Sequence, residues 1–273
     1  MSVPRTVAAA LAEAKTLGLD RLDAQLLLAQ VLGRPRPWLL AHGEEALDAA
    51  QSGAFDALSA RRASGEPLAY LVREKSFHGL TLQVDPNVLV PRPDTELLVD
   101  WAIELLTGTA RRRVVDLGTG SGAIALAVKH ACPAVSMLAT DISAEALDVA
   151  RRNAERLGLD VAMLQSAWWR GLEGRRFEVV LANPPYIAAS DPHLPALQHE
   201  PALALTPGVD GLEALREIVV GAPDHLAPGG WLLLEHGFDQ AAAVQALLRA
   251  EGFADVETRR DLGGQPRCTG GHR

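Results

Sequence analysis

Three glycines within five residues, Gly118, Gly120 and Gly122, stand between the β-prone run Val114-Val115-Asp116-Leu117 and a helix-prone stretch from Ile124 to His130. A strand that turns through glycines straight into a helix sends the chain back along its own length. The next strand then lies parallel to the first. Glycine lets the main chain approach a ligand, and the N-terminus of the following helix faces it. The spacing therefore predicts an α/β fold with a ligand site at the carboxyl end of its sheet.

The downstream chain repeats this alternation. Ala134 to Ala139 reads as a second strand ending at Thr140-Asp141, and Ser143 is placed to N-cap a helix through Leu157 that Gly158 closes. Val161 to Gln165 forms a third strand leading into Ser166-Ala167-Trp168-Trp169, and Phe177 to Ala182 a fourth. Asn183-Pro184-Pro185-Tyr186 stops that fourth strand, because two prolines donate no ladder hydrogen bond and fix φ. Asp116, Gly118, Asp141, Trp168 and Asn183 are thus expected along one edge of a parallel sheet. The glycines also fit the dinucleotide fingerprint, which leaves NAD open. Asp116 argues the other way: a carboxylate opposes a pyrophosphate but suits the ammonium of an amino-acid-bearing cofactor. Asp141 has the spacing of an acidic residue that takes ribose hydroxyls, which NAD and an adenosyl cofactor share.

With 273 residues, 48% of them hydrophobic, the chain can bury one large domain or one domain with a small appendage. Its net charge of −8 offers no global attraction for a nucleic-acid backbone, and no direct nucleic-acid binding is expected. Cys132 and Cys268 have no metal-ligand spacing and suit free thiols in a reducing compartment, so no metal is expected and the protein is placed in the cytoplasm. Val7 to Ala12 is apolar but broken by Glu13 and Lys15, too short for a secretory core, and no later run reaches membrane-spanning length.

Residues 1–68 carry helical spacing. Val7, Leu11 and Ala14 mark one helix, and Leu22, Leu26, Leu27 and Val31 after Asp20 mark a second that Gly33, Pro35 and Pro37 stop. A third runs from Ala54 to Ala63. His42 stands alone and reads as a surface or capping residue. Residues 69–92 read as a β-hairpin linker around His78-Gly79, and residues 93–273 as the main domain. That domain opens with a helix from Glu96 to Leu106 capped by Thr95 or Asp94. Further on come a helix from Glu213, a strand from Gly230 to Glu235, a helix through Ala250 and a final strand pair around Val256 and Cys268. His236, just after Glu235, reads as a capping residue. Gly263-Gly264-Gln265 reads as the turn of the last hairpin.

Several of these elements occur together in a known family. Glu66 to Tyr70, Val88 to Glu96, Asp116 to Gly122, Asp141, Asn183 to Tyr186, and His199 to Leu205 with Gly211-Leu212 resemble the S-adenosylmethionine-dependent methyltransferases. More narrowly, the chain resembles the release-factor glutamine methyltransferases, the PrmC/HemK family. Asn-Pro-Pro-Tyr is shared with adenine methyltransferases, whereas Pro91-Arg92-Pro93-Asp94-Thr95-Glu96 is more specific. The resemblance implies a Rossmann-like class I methyltransferase domain with a seven-stranded, mostly parallel sheet whose last strand is antiparallel. It also implies a helical N-terminal domain that orients substrate. The implied acceptor is the glutamine amide in the Gly-Gly-Gln loop of class I peptide chain release factors.

Site roles follow from the same resemblance. Asp116, Gly118, Thr119, Gly120, Ser121, Gly122, Asp141, Trp168 and Asn183 would bind S-adenosyl-L-methionine, with Trp168 as an adenine wall and Trp169 left to the core. Ala167 stands where many relatives have an acidic residue, which removes one polar contact near adenine. Asn183, Pro184, Pro185 and Tyr186 would hold the substrate amide. The Asn183 side-chain oxygen and the Pro184 carbonyl would accept its two N–H bonds, and Tyr186 would pack on its plane. The catalytic set is then Asn183, Pro184 and Tyr186, in a chain expected to act as a monomer. Other readings are methylation of an adenine exocyclic amine, glutamine methylation of a ribosomal protein, and a cofactor-binding fold serving as an interaction module. Self-methylation of Gln265 is a further possibility, weighed against the simpler hairpin turn.

Overall fold

The computed structural model describes residues 4–108 and 112–273. The chain divides into two compact units, Met1–Glu74 and Lys75–Arg273.

The first unit is helical: α1 (Val7–Thr16), α2 (Arg21–Leu32), α3 (Arg36–Ala41), α4 (Ala49–Ala63) and α5 (Leu68–Val72). Asp20 caps α2 by accepting from Leu22 N at 2.7 Å, and Gly33 ends it in the left-handed conformation. Apolar residues at helical spacing, among them Val7, Ala10, Leu27, Leu28, Leu39 and Phe55, form one buried cluster. Two helices, α3 and α4, depart from the sequence reading. Pro37 sits in the first turn of α3, where its missing N–H costs nothing, so the prolines that end α2 also begin α3. The third expected helix, α4, starts five residues earlier than Ala54, because Asp48 and Gln51 form a reciprocal capping box ahead of a weakly apolar first turn. His42 lies at the C-cap of α3, where its ring meets Trp38 O at 2.8 Å.

A hairpin, β1 (Glu74–Phe77) and β2 (Leu80–Gln83), begins at the boundary residue Glu74 and leads into the second unit. His78 and Gly79 both have positive φ, as a two-residue hairpin turn of matching twist demands. After α6 (Glu96–Leu106) come β3 (Arg113–Leu117), α7 (Ala123–Ala131), β4 (Ser136–Asp141), α8 (Ala144–Leu157), β5 (Ala162–Gln165) and β6 (Phe177–Ala182). The chain finishes with α9 (Glu213–His225), β7 (Leu226–Glu235), α10 (Ala241–Ala250), β8 (Ala254–Arg260) and β9 (Pro266–His272).

Seven strands form one sheet in the order β5-β4-β3-β6-β7-β9-β8, and only β9 runs antiparallel to its neighbours. Strand alternation divides the core into two layers. Val114, Val179, Leu181 and Leu233 face the α6 and α7 side with Trp101 and Leu126. Val115, Val180, Leu232 and Leu234 face the α9 and α10 side with Ile218 and Val244. Residues on both faces of β3 and β6 are wholly buried, which is why these strands read as unbroken apolar runs. Each such side chain removed from water contributes about 1.5–3 kcal/mol. Gly263 and Gly264 lie in the connection between β8 and β9, with Asp261 N donating to Gln265 O at 2.9 Å, so the tripeptide serves the hairpin turn. Cys268 is buried, Cys132 is half-buried, and both are free thiols.

The connection from β3 crosses to β4 on one side, while β6 lies on the other. The strand order therefore reverses between β3 and β6, and a crevice opens beyond their carboxyl ends.

Candidate active site

A cavity of about 460 Å³ occupies that crevice, a size suited to a nucleoside-bearing ligand. Its walls come from the glycine turn after β3, the ends of β4 and β5, the start of the segment after β6, and two stretches distant in sequence, Pro86–Thr95 and Pro201–Pro207. No helix among the described residues is long and apolar enough to cross a membrane.

On the β3–β4 side the main chain is held tightly. Gly118 N and Thr119 N both donate to Thr140 O, at 2.9 and 2.8 Å, and Gly118 has φ of 74°. A Cβ on Gly118 would lie 3.3 Å from the Trp168 ring. Glycine is thus required here twice over, by backbone conformation and by the indole beside it. Trp168 itself has a positive φ of 48°, uncommon for a bulky residue, and Ser166 Oγ donates to its carbonyl at 3.1 Å. Gly122 is also left-handed, with φ of 83°, and its neighbours are core side chains: a Cβ there would meet Leu126 at 2.9 Å and Ala150 at 3.2 Å, where α7 passes α8.

Asp141 lines the cavity at the end of β4. Its two oxygens accept from Gly120 N and Ser143 N, each at 2.9 Å, and a carboxylate with one bond on each oxygen keeps lone pairs for further donors. Burial raises its pKa, while these backbone N–H groups oppose the rise. Asp116 is placed differently from expectation. It is fully buried and outside the cavity lining, one oxygen accepting from Thr119 Oγ1 at 2.6 Å and the other without a partner. Burial pushes its carboxyl up to about 7, against the Thr119 hydroxyl, and the nearby Asp141 charge adds to the rise. The alternation of β3 puts Asp116 on the α7 face rather than at the strand tip, which the sequence run alone did not distinguish.

On the β6 side, Asn183 and Pro185 line the cavity while Pro184 and Tyr186 do not. Asn183 Nδ2 donates to Thr95 Oγ1 at 3.2 Å. The Tyr186 hydroxyl donates to Glu235 Oε1 at 3.3 Å, and burial, then the Glu235 charge, raises the phenol's pKa. Gln240 Nε2 donates to Tyr186 O at 3.0 Å, and a Cβ on Gly211 would lie 2.5 Å from that same carbonyl. Past the tetrapeptide, Ile187 N and Ala189 N pair with Leu205 O and Gly208 O. The Glu200 carboxylate, nearly inaccessible, accepts from Val90 N at 3.0 Å and from Arg92, joining the two outlying stretches of the cavity wall.

Gly118, Thr119, Gly120, Ser121, Asp141, Trp168, Asn183 and Pro185 line one cavity; Asp116, Gly122, Pro184 and Tyr186 are not part of that lining, although the last three are chain neighbours of residues that are. Trp169 belongs to the core: its Nε1 donates to Ile218 O and its ring stacks on His225 at 4.6 Å. The reading missed two residues. Thr95 was read as a helix cap, yet it makes no cap bond and turns its hydroxyl to Asn183. Glu235 was read only as the end of a strand, although a charged residue closing an apolar strand was a signal. His236 is buried, its ring bonded to Gly237 O at 2.8 Å and Thr269 Oγ1 at 2.7 Å, which secures the segment after β7.

Comparison with known proteins agrees with this architecture. Residues 5–72 match the PrmC N-terminal domain, and residues 94–200 match the methyltransferase small domain. A release factor glutamine methyltransferase of Bordetella pertussis is 50% identical over 258 residues, covering 93% of this chain and 96% of that protein. One from Burkholderia pseudomallei is 51% identical over 262 residues, covering 93% and 92%. A crystal structure of a methyltransferase from Pyrococcus furiosus shares the fold, with a TM-score of 0.57 at 21% identity over 78% of this chain and 96% of that one. Identity of this extent over nearly the whole of both chains places the protein: it belongs to the release factor glutamine methyltransferase family.

Proposed function

We propose that this chain transfers a methyl group from S-adenosylmethionine to the side-chain amide nitrogen of the glutamine in the Gly-Gly-Gln loop of class I peptide chain release factors. The observation that carries the reading is the Asn183 carboxamide: its nitrogen end is taken by Thr95, which leaves the oxygen end for a ligand in a cavity shared with the glycine turn. The names of the relatives agree with it.

The cavity suits the cofactor chemically. Asp141 retains lone pairs for a ribose diol, the indole of Trp168 offers a flat apolar wall for a base, and the glycine turn leaves main chain open to an amino-acid moiety. Asp116 lies beneath the turn and outside the cavity lining, where it accepts from the Thr119 hydroxyl and so helps hold the turn in place. When bound, S-adenosylmethionine supplies a methyl on a positively charged sulfur, an electrophile that needs no further activation.

An amide nitrogen is a poor nucleophile because its lone pair is delocalised into the carbonyl, so orientation limits the rate. Asn183 Oδ1 and the Pro184 carbonyl accept the two N–H bonds of the substrate amide and turn its lone pair toward the methyl. The two prolines hold those acceptors rigid. As the nitrogen–carbon bond forms and the carbon–sulfur bond breaks, both acceptors stabilise the positive charge growing on nitrogen. The extra proton on nitrogen leaves to water. Tyr186 restricts the amide plane, with its hydroxyl secured on Glu235.

In the same reading, residues 1–68 orient the release factor, residues 69–92 link, and the protein acts as a cytoplasmic monomer, where translation terminates. Incubation with methyl-labelled S-adenosylmethionine and either a release factor or DNA tests the proposal. Label is expected on the release factor and not after its target glutamine is replaced; label on DNA alone would overturn it.

A further inference from the structure

Large apolar side chains left in water are unevenly placed on the second unit. Six are exposed among its described residues, and five of them, Ile142, Leu203, Val209, Phe238 and Leu262, stand on connections at the carboxyl edge of the sheet. The sixth, Val220, lies on α9. Single exposed apolar residues need no explanation, but a group of them on one edge does. Ile142 and Leu203 line the cavity, so a ligand there would cover them. Val209 is 83% and Phe238 58% exposed, Leu262 wholly so, and all three stand outside that lining. Nothing bound in the cavity would cover them.

The three tips share a construction. Each apolar residue sits between a glycine and an aspartate: Gly208-Val209-Asp210, Gly237-Phe238-Asp239 and Asp261-Leu262-Gly263. Asp210 Oδ1 accepts from Leu212 N and Asp261 Oδ1 from Gln265 N, each at 2.9 Å, so two of the turns are closed by their own carboxylate. Gly237 N donates to Gln240 Oε1 at 2.9 Å and closes the third. The turns are also tied to one another and to the acceptor segment. Gln240 Nε2 donates to Tyr186 O at 3.0 Å and to Gly211 O at 3.3 Å, while His236 N donates to Arg267 O at 2.9 Å and Arg267 bridges Asp94 and Asp261. These polar groups are satisfied within the loops, and the apolar side chains stand out from a braced frame.

We propose that Val209, Phe238 and Leu262 form a docking rim for the protein that carries the acceptor glutamine, meeting apolar side chains on either side of its Gly-Gly-Gln loop. The inference rests on the reading of Asn183 as the holder of the substrate amide. A glutamine side chain is short, so for its amide to reach Asn183 the main chain of the acceptor loop has to come down onto this edge. Two glycines beside the glutamine offer no side chain to grip. Recognition then falls to residues further along the loop, which pass over the turns tied to Tyr186 and Gly211. Preformed apolar tips receive such a loop with little ordering cost of their own. An aspartate beside every tip opposes a phosphate backbone, so the rim suits a protein and not a nucleic acid.

The test measures methylation of a class I release factor by the full chain with S-adenosylmethionine, comparing the wild type with Val209→Ser, Phe238→Ser and Leu262→Ser, singly and combined. KM for the release factor should rise about tenfold for Phe238→Ser and about a hundredfold for the triple variant. At saturating release factor kcat should stay within about threefold, and cofactor Kd within about twofold, because the cavity lining is untouched. Val220→Ser, similarly exposed on α9, should change none of these. An unchanged KM in the triple variant would overturn the proposal. So would a comparable rise in cofactor Kd, an equal rise of KM in Val220→Ser, or a wild-type dimer that the triple variant turns into a monomer on sedimentation, which would make the rim a contact between copies of this chain. If the triple variant fails to fold, Phe238→Ser decides by the same readings. A wild-type chain that leaves the release factor unmethylated defeats the underlying reading, whereas normal wild-type activity with an unchanged KM in the variants defeats only the rim.

Discussion

On the β3–β4 side of the cavity, polar groups find their partners close by in the chain. Thr119 reaches Asp116 across three positions, Ser143 reaches Asp141 across two, and Gly120 reaches Asp141 across 21. On the β6 side the partners are remote: Asn183 meets Thr95 across 88 positions and Tyr186 meets Glu235 across 49. A wall of local bonds forms with its own strand–turn–helix unit and can be shared by any methyltransferase of this fold. A wall of remote bonds exists only once the whole sheet has closed, and it carries what distinguishes one acceptor from another. The first wall should govern cofactor affinity and the second should govern turnover.

The largest expected effect on the local wall comes from Gly118→Val. A side chain there meets the Trp168 ring and an unfavourable φ, so cofactor Kd measured by calorimetry should rise about a hundredfold. Unchanged affinity would show that the turn does not contact the cofactor. Asp141→Ala should raise Kd about ten- to a hundredfold while kcat at saturating cofactor stays within a few fold, since a ribose contact is the same in ground and transition states. A variant that loses kcat and keeps its affinity would erase the distinction between the walls.

Each wall also holds one fully buried carboxylate with an unpartnered oxygen, Asp116 on one side and Glu235 on the other. Both are pushed up to about 7, so the fold disfavours their ionisation. The stability they favour is complete below the ordinary carboxylate range and is lost as pH rises through about 7. Asp116→Asn should therefore flatten the fall in unfolding free energy between pH 5 and 7 by about 3 kcal/mol, read from denaturant melts. Parallel curves for the two proteins would mean that Asp116 is ionised throughout. The smallest effect belongs to a single cap. Ser143 Oγ accepts from Ala146 N at 3.0 Å, and Ser143→Ala should cost about 1 kcal/mol of stability, visible as a Tm lower by a few degrees.

The same contrast explains what could be read in the chain beforehand. The seven-stranded sheet, the glycine turn, Asp141 and the Asn183 strand end were legible because each is announced by its immediate neighbours: apolar runs, glycines, caps and prolines. Thr95 was misassigned because a threonine ahead of a helix has an obvious local use, and nothing nearby shows that its hydroxyl turns to Asn183 instead. Glu235 looked like an ordinary strand terminus, since its partner Tyr186 lies on another strand's end. Asp116 was placed on the right strand but at the wrong depth, because its position one residue before Leu117 decides which face of the sheet it meets. In the helical unit, α3 and α5 are too short to show periodicity.

The division of labour between the walls is tested most directly by Asn183→Ala, with kcat on a class I release factor and cofactor Kd measured on the same protein. Loss of an acceptor that acts only as charge develops on nitrogen should lower kcat by about 10²–10³ while Kd changes by no more than about twofold. Equal losses in both would contradict the account, because Asn183 would then be holding the cofactor and not the amide that receives its methyl.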